Sequence, residues 1–272
     1  MPTWILPAIF AGLVAIGVTF AIEKFGGRKG GLIGSLPTTI VPATAGIFAA
    51  SDTIINFQDA MFITPAGMLS NAIFLLLWRI APPRLPPIHT HLRLALCLLI
   101  ALAGWSAMAT FAIQVTREIH TFGITRNEWA IALTVVMAGL GIVACKKNPP
   151  APTASSNPGT VAIMSRGVMA AAAIGSAVWM ADQGGPLIAG VAAVFPAIFM
   201  TTMCGLWLAH GEAVGAGAVG PMMLGGTSVS AYAWLAAWWV PALGLAPASL
   251  LAWVTAVVLI TVPAWLWLTK QQ

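Results

Sequence analysis

The sequence predicts an all-α fold, a polytopic membrane bundle of about nine transmembrane helices with an inverted internal repeat. Three observations predict it. Apolar residues make up 59% of the chain and charged residues only 7%, against roughly 25% charged in soluble domains. Lipid is the solvent that accommodates such a surface. Spanning helices need about 20 mainly apolar residues each, and segments of that kind fall at roughly 3–22, 31–51, 53–79, 92–115, 128–145, 161–181, 186–208, 213–239 and 247–268. Finally, one pattern occurs twice at a near-constant offset.

Charge placement supports the count. The net charge is +5, which by itself would also suit a nucleic-acid binder. Threading the nine segments with alternating sides puts Lys24, Arg28, Lys29, Arg79, Arg84, Arg93, Lys146, Lys147, Arg166 and Lys270 on one side. Only Arg117 and Arg126 fall on the other. Lys and Arg accumulate on the cytoplasmic side of membrane proteins, so the expected location is a plasma (inner) membrane, with the N-terminus outside and the C-terminus inside. No basic region precedes the first apolar run, which is too long for a cleaved signal peptide. Trp4, Trp129, Trp238, Trp239, Trp265 and Trp267 suit the headgroup level. Cys97, Cys145 and Cys204 have no paired spacing and read as small apolar residues.

The first segment is smoothly apolar and ends at a charged turn around Lys24 and Arg28. The second carries Pro37 and Pro42, each removing a backbone donor that lipid cannot replace. Ser35, Thr38, Thr39 and Thr44 are hydroxyls at hand to compensate. Whether this helix is kinked or broken stays open. The third segment is the most polar, with Asp52, Asn56 and Asp59 at spacing that puts them on one helical face, then Pro65 and Asn71. Asp52 reads either as a helix cap or as a site group. Asp59 lies on the order of 10 Å further in, where carboxylates face a bundle interior or water. A stiff proline-rich connector follows, with His89 and His91. Segments four and five flank a loop, from Arg117 to Glu128, whose charges cancel and suit exposed ion pairs.

Residues 146–159, rich in proline and serine, read as the linker between two halves. The seventh segment carries Pro196, Met200, Thr201, Thr202, Met203 and Cys204, and ends at His210-Gly211-Glu212. The eighth opens with six residues, Gly215, Gly217, Gly220, Pro221, Gly225 and Gly226, that suit close packing or an interrupted helix. The ninth is rich in Leu and Trp and reads as peripheral.

Pro37 and Pro196 lie 159 residues apart, and Asp52 and Glu212, like Trp78 and Trp238, lie 160 apart. Ala15-Ile16-Gly17 is echoed 158 residues later at Ala173-Ile174-Gly175. Five segments separate the starts of the two copies, and an odd number inverts one copy relative to the other. The expected organisation is one integral membrane domain over 1–272: a repeat over about 3–115, an extra helix and linker over about 116–159, and a second repeat over about 160–268. Gly-Leu-Ile-x-x-Leu-Pro-Thr at 31–38, Ala-Ser-Asp at 50–52 and the proline-kinked helix ending in Leu-Leu-Trp resemble the small four-helix GlpM-type membrane proteins. Ala-Gly-x-x-x-x-Phe-Pro at 189–196 and Glu212 are similar in pattern. The resemblance implies a fused, inverted pair of such units and carries no substrate with it. The second copy has no Thr after its proline and no counterpart of Asp59.

Inverted repeats with matching interrupted helices point to a secondary transporter. The expected function is movement of a small solute or cation by alternating access. Candidate binding or coupling residues are Asp52, Asn56, Asp59, Asn71, Pro37, Thr38, Thr39, Pro196, Thr201, Thr202, His210 and Glu212. A metal carrier or channel built on Met200, Met203, Cys204, His210 and Glu212 is the alternative, since thioether, thiol and imidazole suit soft metals; packing by methionine explains the same residues. A lipid-handling or scaffold protein is a third reading. No enzyme is expected, because no metalloprotease or nucleophile-elbow motif is present. The partners implied are the bilayer and a small solute or ion, with no nucleic acid and no cofactor; a homo-oligomer stays open.

Overall fold

The computed structural model describes residues 2–25, 36–147, 159–183 and 185–270. The Gly-Leu-Ile run ahead of Leu36, Arg28, Lys29 and most of the proposed linker lie outside the described residues. Among the described residues there is no strand. The helices are α1 (Ile5–Phe25), α2 (Ile40–Ala50), α3 (Ile54–Ile80), α4 (Thr90–Glu118), α5 (Arg126–Lys146), α6 (Thr160–Asp182), α7 (Pro186–Ala192), α8 (Ala197–His210), α9 (Glu212–Leu243), α10 (Leu245–Ala256) and α11 (Val262–Lys270). A π-helical turn, Val257–Thr261, joins α10 to α11 into one rod. Among the described residues six segments are long and apolar enough to cross a membrane. The chain is a membrane protein.

Local chemistry sets the boundaries. Thr53, not Asp52, caps α3: its Oγ1 accepts from the Asn56 N–H at 3.1 Å. Asp52 itself is exposed outside the helix. At α5 a reciprocal capping box forms, with the Thr125 N–H donating to Glu128 Oε2 at 2.8 Å and the Glu128 N–H to Thr125 Oγ1 at 3.2 Å. That takes Glu128 out of the expected loop ion pairs. A single residue, Gly211 with φ +81°, separates α8 from α9; this left-handed value is open to glycine at little cost.

α3 is the centre. Some 83% of its most apolar stretch is buried inside the protein, against 22% for the α4 rod and 28% for the α10–α11 rod. Those two rods turn most of their apolar surface outward, to lipid. α3 packs most extensively on α9, and the pair is antiparallel: Gln58 meets Ala237, Met68 meets Gly226, and Arg79 meets Ala216. α1 and α6 are antiparallel too, with Gly12 against Gly167 and Ala8 against Gly175. α7 runs parallel to α3, from Gly190 beside Ala60 to Val194 beside Asn71. Two helix pairs, α1 with α6 and α3 with α9, thus run in opposite directions.

α7 touches the backbone of α3. A methyl on Gly190 would overlap the Ala60 carbonyl oxygen, and one on Gly67 would crowd Val191 and Val194. Pro65 lies in the same stretch of α3. The prediction is that Gly190→Ala forces α7 away from α3 and destabilises the fold by about 1–3 kcal/mol, the cost of overpacking. Gly139→Ala, where nothing lies within 4 Å, is the matched control. Thermal unfolding in detergent should separate the two.

Candidate functional site

The helix expected over 186–208 is broken. α7 ends at Ala192, a turn over 193–196 follows, and α8 begins at Ala197 with Pro196 as its cap residue. In the segment expected over 31–51, Leu36 to Thr39 form a turn that holds Pro37, and α2 starts at Ile40. The segment expected over 186–208 is thus interrupted at Pro196, and the described part of the other begins with a proline-bearing turn. Pro37 and Pro196 are both buried.

Both proline-bearing turns border one cavity of about 60 Å³. Leu36, Thr39 and Ile40 line it from the first turn, and residues 193–199 from the second. Met68 and Asn71 of α3, Ala170, Ala173 and Ile174 of α6 and Val229 of α9 complete the wall. A space of this size holds a few waters or a small polar molecule. The N-termini of α2 and α8 border it. Their first N–H groups lack carbonyls of their own helix, and the helix dipole makes these ends partly positive.

Asn71 organises the wall. It is 2% exposed, its Nδ2 donates to the Val194 carbonyl at 2.8 Å and its Oδ1 accepts from Trp105 Nε1 at 2.8 Å. One side chain thus satisfies a carbonyl at the broken turn and ties α3 to α4. Phe195 stacks edge-on against Trp105 at 5.2 Å. Thr64 Oγ1 reaches the Gly190 carbonyl at 3.3 Å.

The other sequence candidates are dispersed. Asp59 is ion-paired with Arg126 at the first residue of α5, near the α3 end that also carries Asp52. Asn56 serves only as the cap donor of α3. Glu212 lies near the opposite end, where Arg93 Nη2 donates to its Oε2 at 2.9 Å and its Oε1 at 3.2 Å. Neither acid lines the cavity. Thr38 and Thr201 bond to nearby carbonyls, Leu36 for the first, Ala197 and Ile198 for the second. Thr202 is half-buried off the cavity. The side chain of His210 lies outside the described residues. Met203 is fully buried beside Gly215, Met200 and Cys204 are half-buried, and His89 and His91 are exposed. Among the described residues no three His, Cys, Asp or Glu side chains come together as a metal site.

Sequence reasoning missed three partners. Trp105 carries no signal in the sequence that sets it apart, Arg126 is expected there in an exposed loop pair, and Arg93 only as one more basic residue of the cytoplasmic side. Arg126 is the most recoverable: an arginine at the end with few basic residues stands level with a buried acid. A second, wider groove of about 500 Å³ runs between α1, α2 and α10, bordered by Phe10, Val41 and Trp253. Its rim residues Phe10 and Leu250 are exposed, which makes it part of the lipid-facing surface. Thr38 of the first turn also borders it, together with Pro42 and Ser249.

Comparison of the chain with protein-family models, with curated proteins and with solved structures finds no match.

Asn71→Leu keeps the volume and removes both bonds. It leaves the Val194 carbonyl and the Trp105 N–H without partners in a dry wall, at about 1–3 kcal/mol for each stranded group. The expected outcome is a lower melting point in detergent together with a shift in tryptophan emission.

Proposed function

We propose that this chain is a secondary-type membrane transporter of a small solute, working by alternating access between two inverted repeats. One observation carries the reading: two proline-bearing turns at helix starts, their prolines 159 residues apart in sequence, border the same cavity. Interrupted helices in matching positions of inverted halves, with a site between them, are the architecture of many secondary transporters. The opposite courses of α1 and α6, and of α3 and α9, fit the same plan. So does the resemblance to a fused pair of GlpM-type units.

The wall favours one class of cargo. No carboxylate lines the cavity, and both Asp59 and Glu212 are engaged by arginines. The polar groups on offer are Thr39, Asn71 and the N-terminal ends of two helices. That set suits an uncharged or anionic small molecule better than a cation. In this reading the end of the bundle that carries Arg79, Arg84 and Arg93 is cytoplasmic, the membrane is the plasma (inner) membrane, and the N-terminus is outside.

The test is uptake into proteoliposomes of labelled urea, glycerol, formate, acetate and rubidium. Saturable flux of an uncharged or anionic probe is expected. Ala173→Leu, which fills the cavity, should abolish it, and Ala172→Leu, on the exposed face of the same helix, should not. Flux of rubidium alone, or equal flux in both variants, would overturn the proposal.

Topology has its own measurement. Asp52→Cys and His89→Cys, each at an exposed position, should react with an impermeant thiol reagent from opposite sides of the membrane. Reaction from one side only would remove the inverted arrangement.

A further inference from the structure

Toward each end of α3 stands a cluster built around one arginine–carboxylate pair. Along α8 from the cavity toward Glu212, Phe199 lines the wall and Met203 is fully buried. Trp207, a turn later, packs edge-on against Trp78 at 5.9 Å, and Phe74 backs Trp78 at 6.1 Å. Trp78 is 1% exposed, and its Nε1–H has no hydrogen-bond partner among the described residues. Beyond this aromatic plug is the Arg93–Glu212 pair. The same guanidinium donates to the Leu85, Pro86 and Pro82 carbonyls at 3.3, 3.0 and 3.0 Å. Arg93 therefore holds the proline-rich connector, the start of α4 and the start of α9 in one knot.

The opposite end is tied by different residues to the same effect. Arg126 pairs with Asp59, and Gln58 Nε2 donates to the Ala237 carbonyl at 3.1 Å. Asn127 Oδ1 accepts from Trp234 and Trp238 at 2.8 and 3.1 Å. This second knot joins the first turns of α3, the start of α5 and the last turns of α9.

α9 belongs to both knots. It is one helix of 32 residues, about 48 Å long at 1.5 Å per residue, and it crosses α3 where Met68 and Met137 press into the space left by Gly226. A rod held at both ends over a central crossing moves one end out as the other moves in. The two knots also differ in strength. Glu212 is 43% exposed and Asp59 14%, and exposed pairs are the weaker ones. The stranded indole N–H of Trp78 weakens closure further at the Glu212 end.

Resting on the transporter reading above, we propose that the Arg93–Glu212 and Asp59–Arg126 knots are the two gates of the cycle and that α9 couples them so that they open reciprocally. Both are closed in this structure. The Glu212 gate opens the more readily.

Cys204, on α8 between the cavity and the aromatic plug, is a natural reporter. In a Cys97→Ala/Cys145→Ala background it is the sole cysteine, and a water-soluble methanethiosulfonate applied from the Glu212 side reads the opening of that gate. Glu212→Gln should react about fivefold faster than the parent, the response to losing one exposed pair. Asp59→Asn should react more slowly, at about a third of the parent rate, because loosening the far gate draws the population away. The swapped pair Arg93→Glu/Glu212→Arg should return the rate to the parent's, and tryptophan emission checks that each variant is folded. Equal rates in all variants, or faster labelling in both single variants, would overturn the coupling. The labelling needs no solute. Failed reciprocity therefore removes the gates whatever the uptake result, while reciprocity without flux of any probe removes the transport reading instead.

Discussion

Lipid supplies no hydrogen bonds, so any backbone group released from a helix must find its partner within the protein. That constraint organises this molecule. The turns that hold Pro37 and Pro196 leave carbonyls and N–H groups without helical partners inside the bundle. The Asn71 amide and the Thr64 hydroxyl, both from α3, reach the second break. Polar side chains able to do this are expensive in a membrane, so the helix that carries them has to be wrapped by others. α3 is accordingly the most buried of the candidate spans, and α4, α5, α7 and α9 are arranged around it.

The same constraint explains the close contacts. Satisfying the Gly190 carbonyl from Thr64 requires α7 to lie directly on α3, which only a residue without a side chain permits. Other points of nearest approach follow suit. Gly12 faces Gly167, Gly141 meets the backbone of Leu224, and Gly220 meets that of Cys145. Without a hydrophobic drive between helices in lipid, such contacts are where dispersion and packing supply attraction. Of the two readings open for the glycines at 215–226, close packing and an interrupted helix, close packing is what the structure shows: they lie within one helix, α9, where Gly220 and Gly226 are contact points.

Much of the fold was legible because the bilayer imposes length and composition on each segment. The six long apolar spans each overlap one of the nine expected segments, and the polar character of α3 marked it as special. Less legible was which charge meets which. Asp59 and Arg126 are far apart in sequence, and Arg126 stands two residues from Glu128, a nearer partner. Glu128, which seemed to neutralise Arg126, is occupied by the helix cap of Thr125. The hydroxyls Thr38 and Thr201 matched the spacing of a site, yet each bonds to a carbonyl within four residues, which is local chemistry that leaves no mark in a pattern of residue types. The cavity wall, in turn, is mostly alanine and larger apolar residues, and such residues have no sequence signature. Thr39, Asn71 and Pro196 were the wall residues that stood out, and Asn71 most of all, because an amide in the middle of an apolar run has few bland explanations.

The placement of α3 has a consequence for how the protein is made. Its polar groups wait for partners that the ribosome has not yet delivered. Trp105 follows Asn71 by 34 residues, Arg126 follows Asp59 by 67, Val194 follows Asn71 by 123, and Ala237 follows Gln58 by 179. Until those segments emerge, α3 enters the bilayer with an uncompensated acid and amide, so it must shelter in the insertion machinery or at the membrane edge. Biogenesis is therefore a delayed closure, in which the earliest polar span is the last to be fully enclosed.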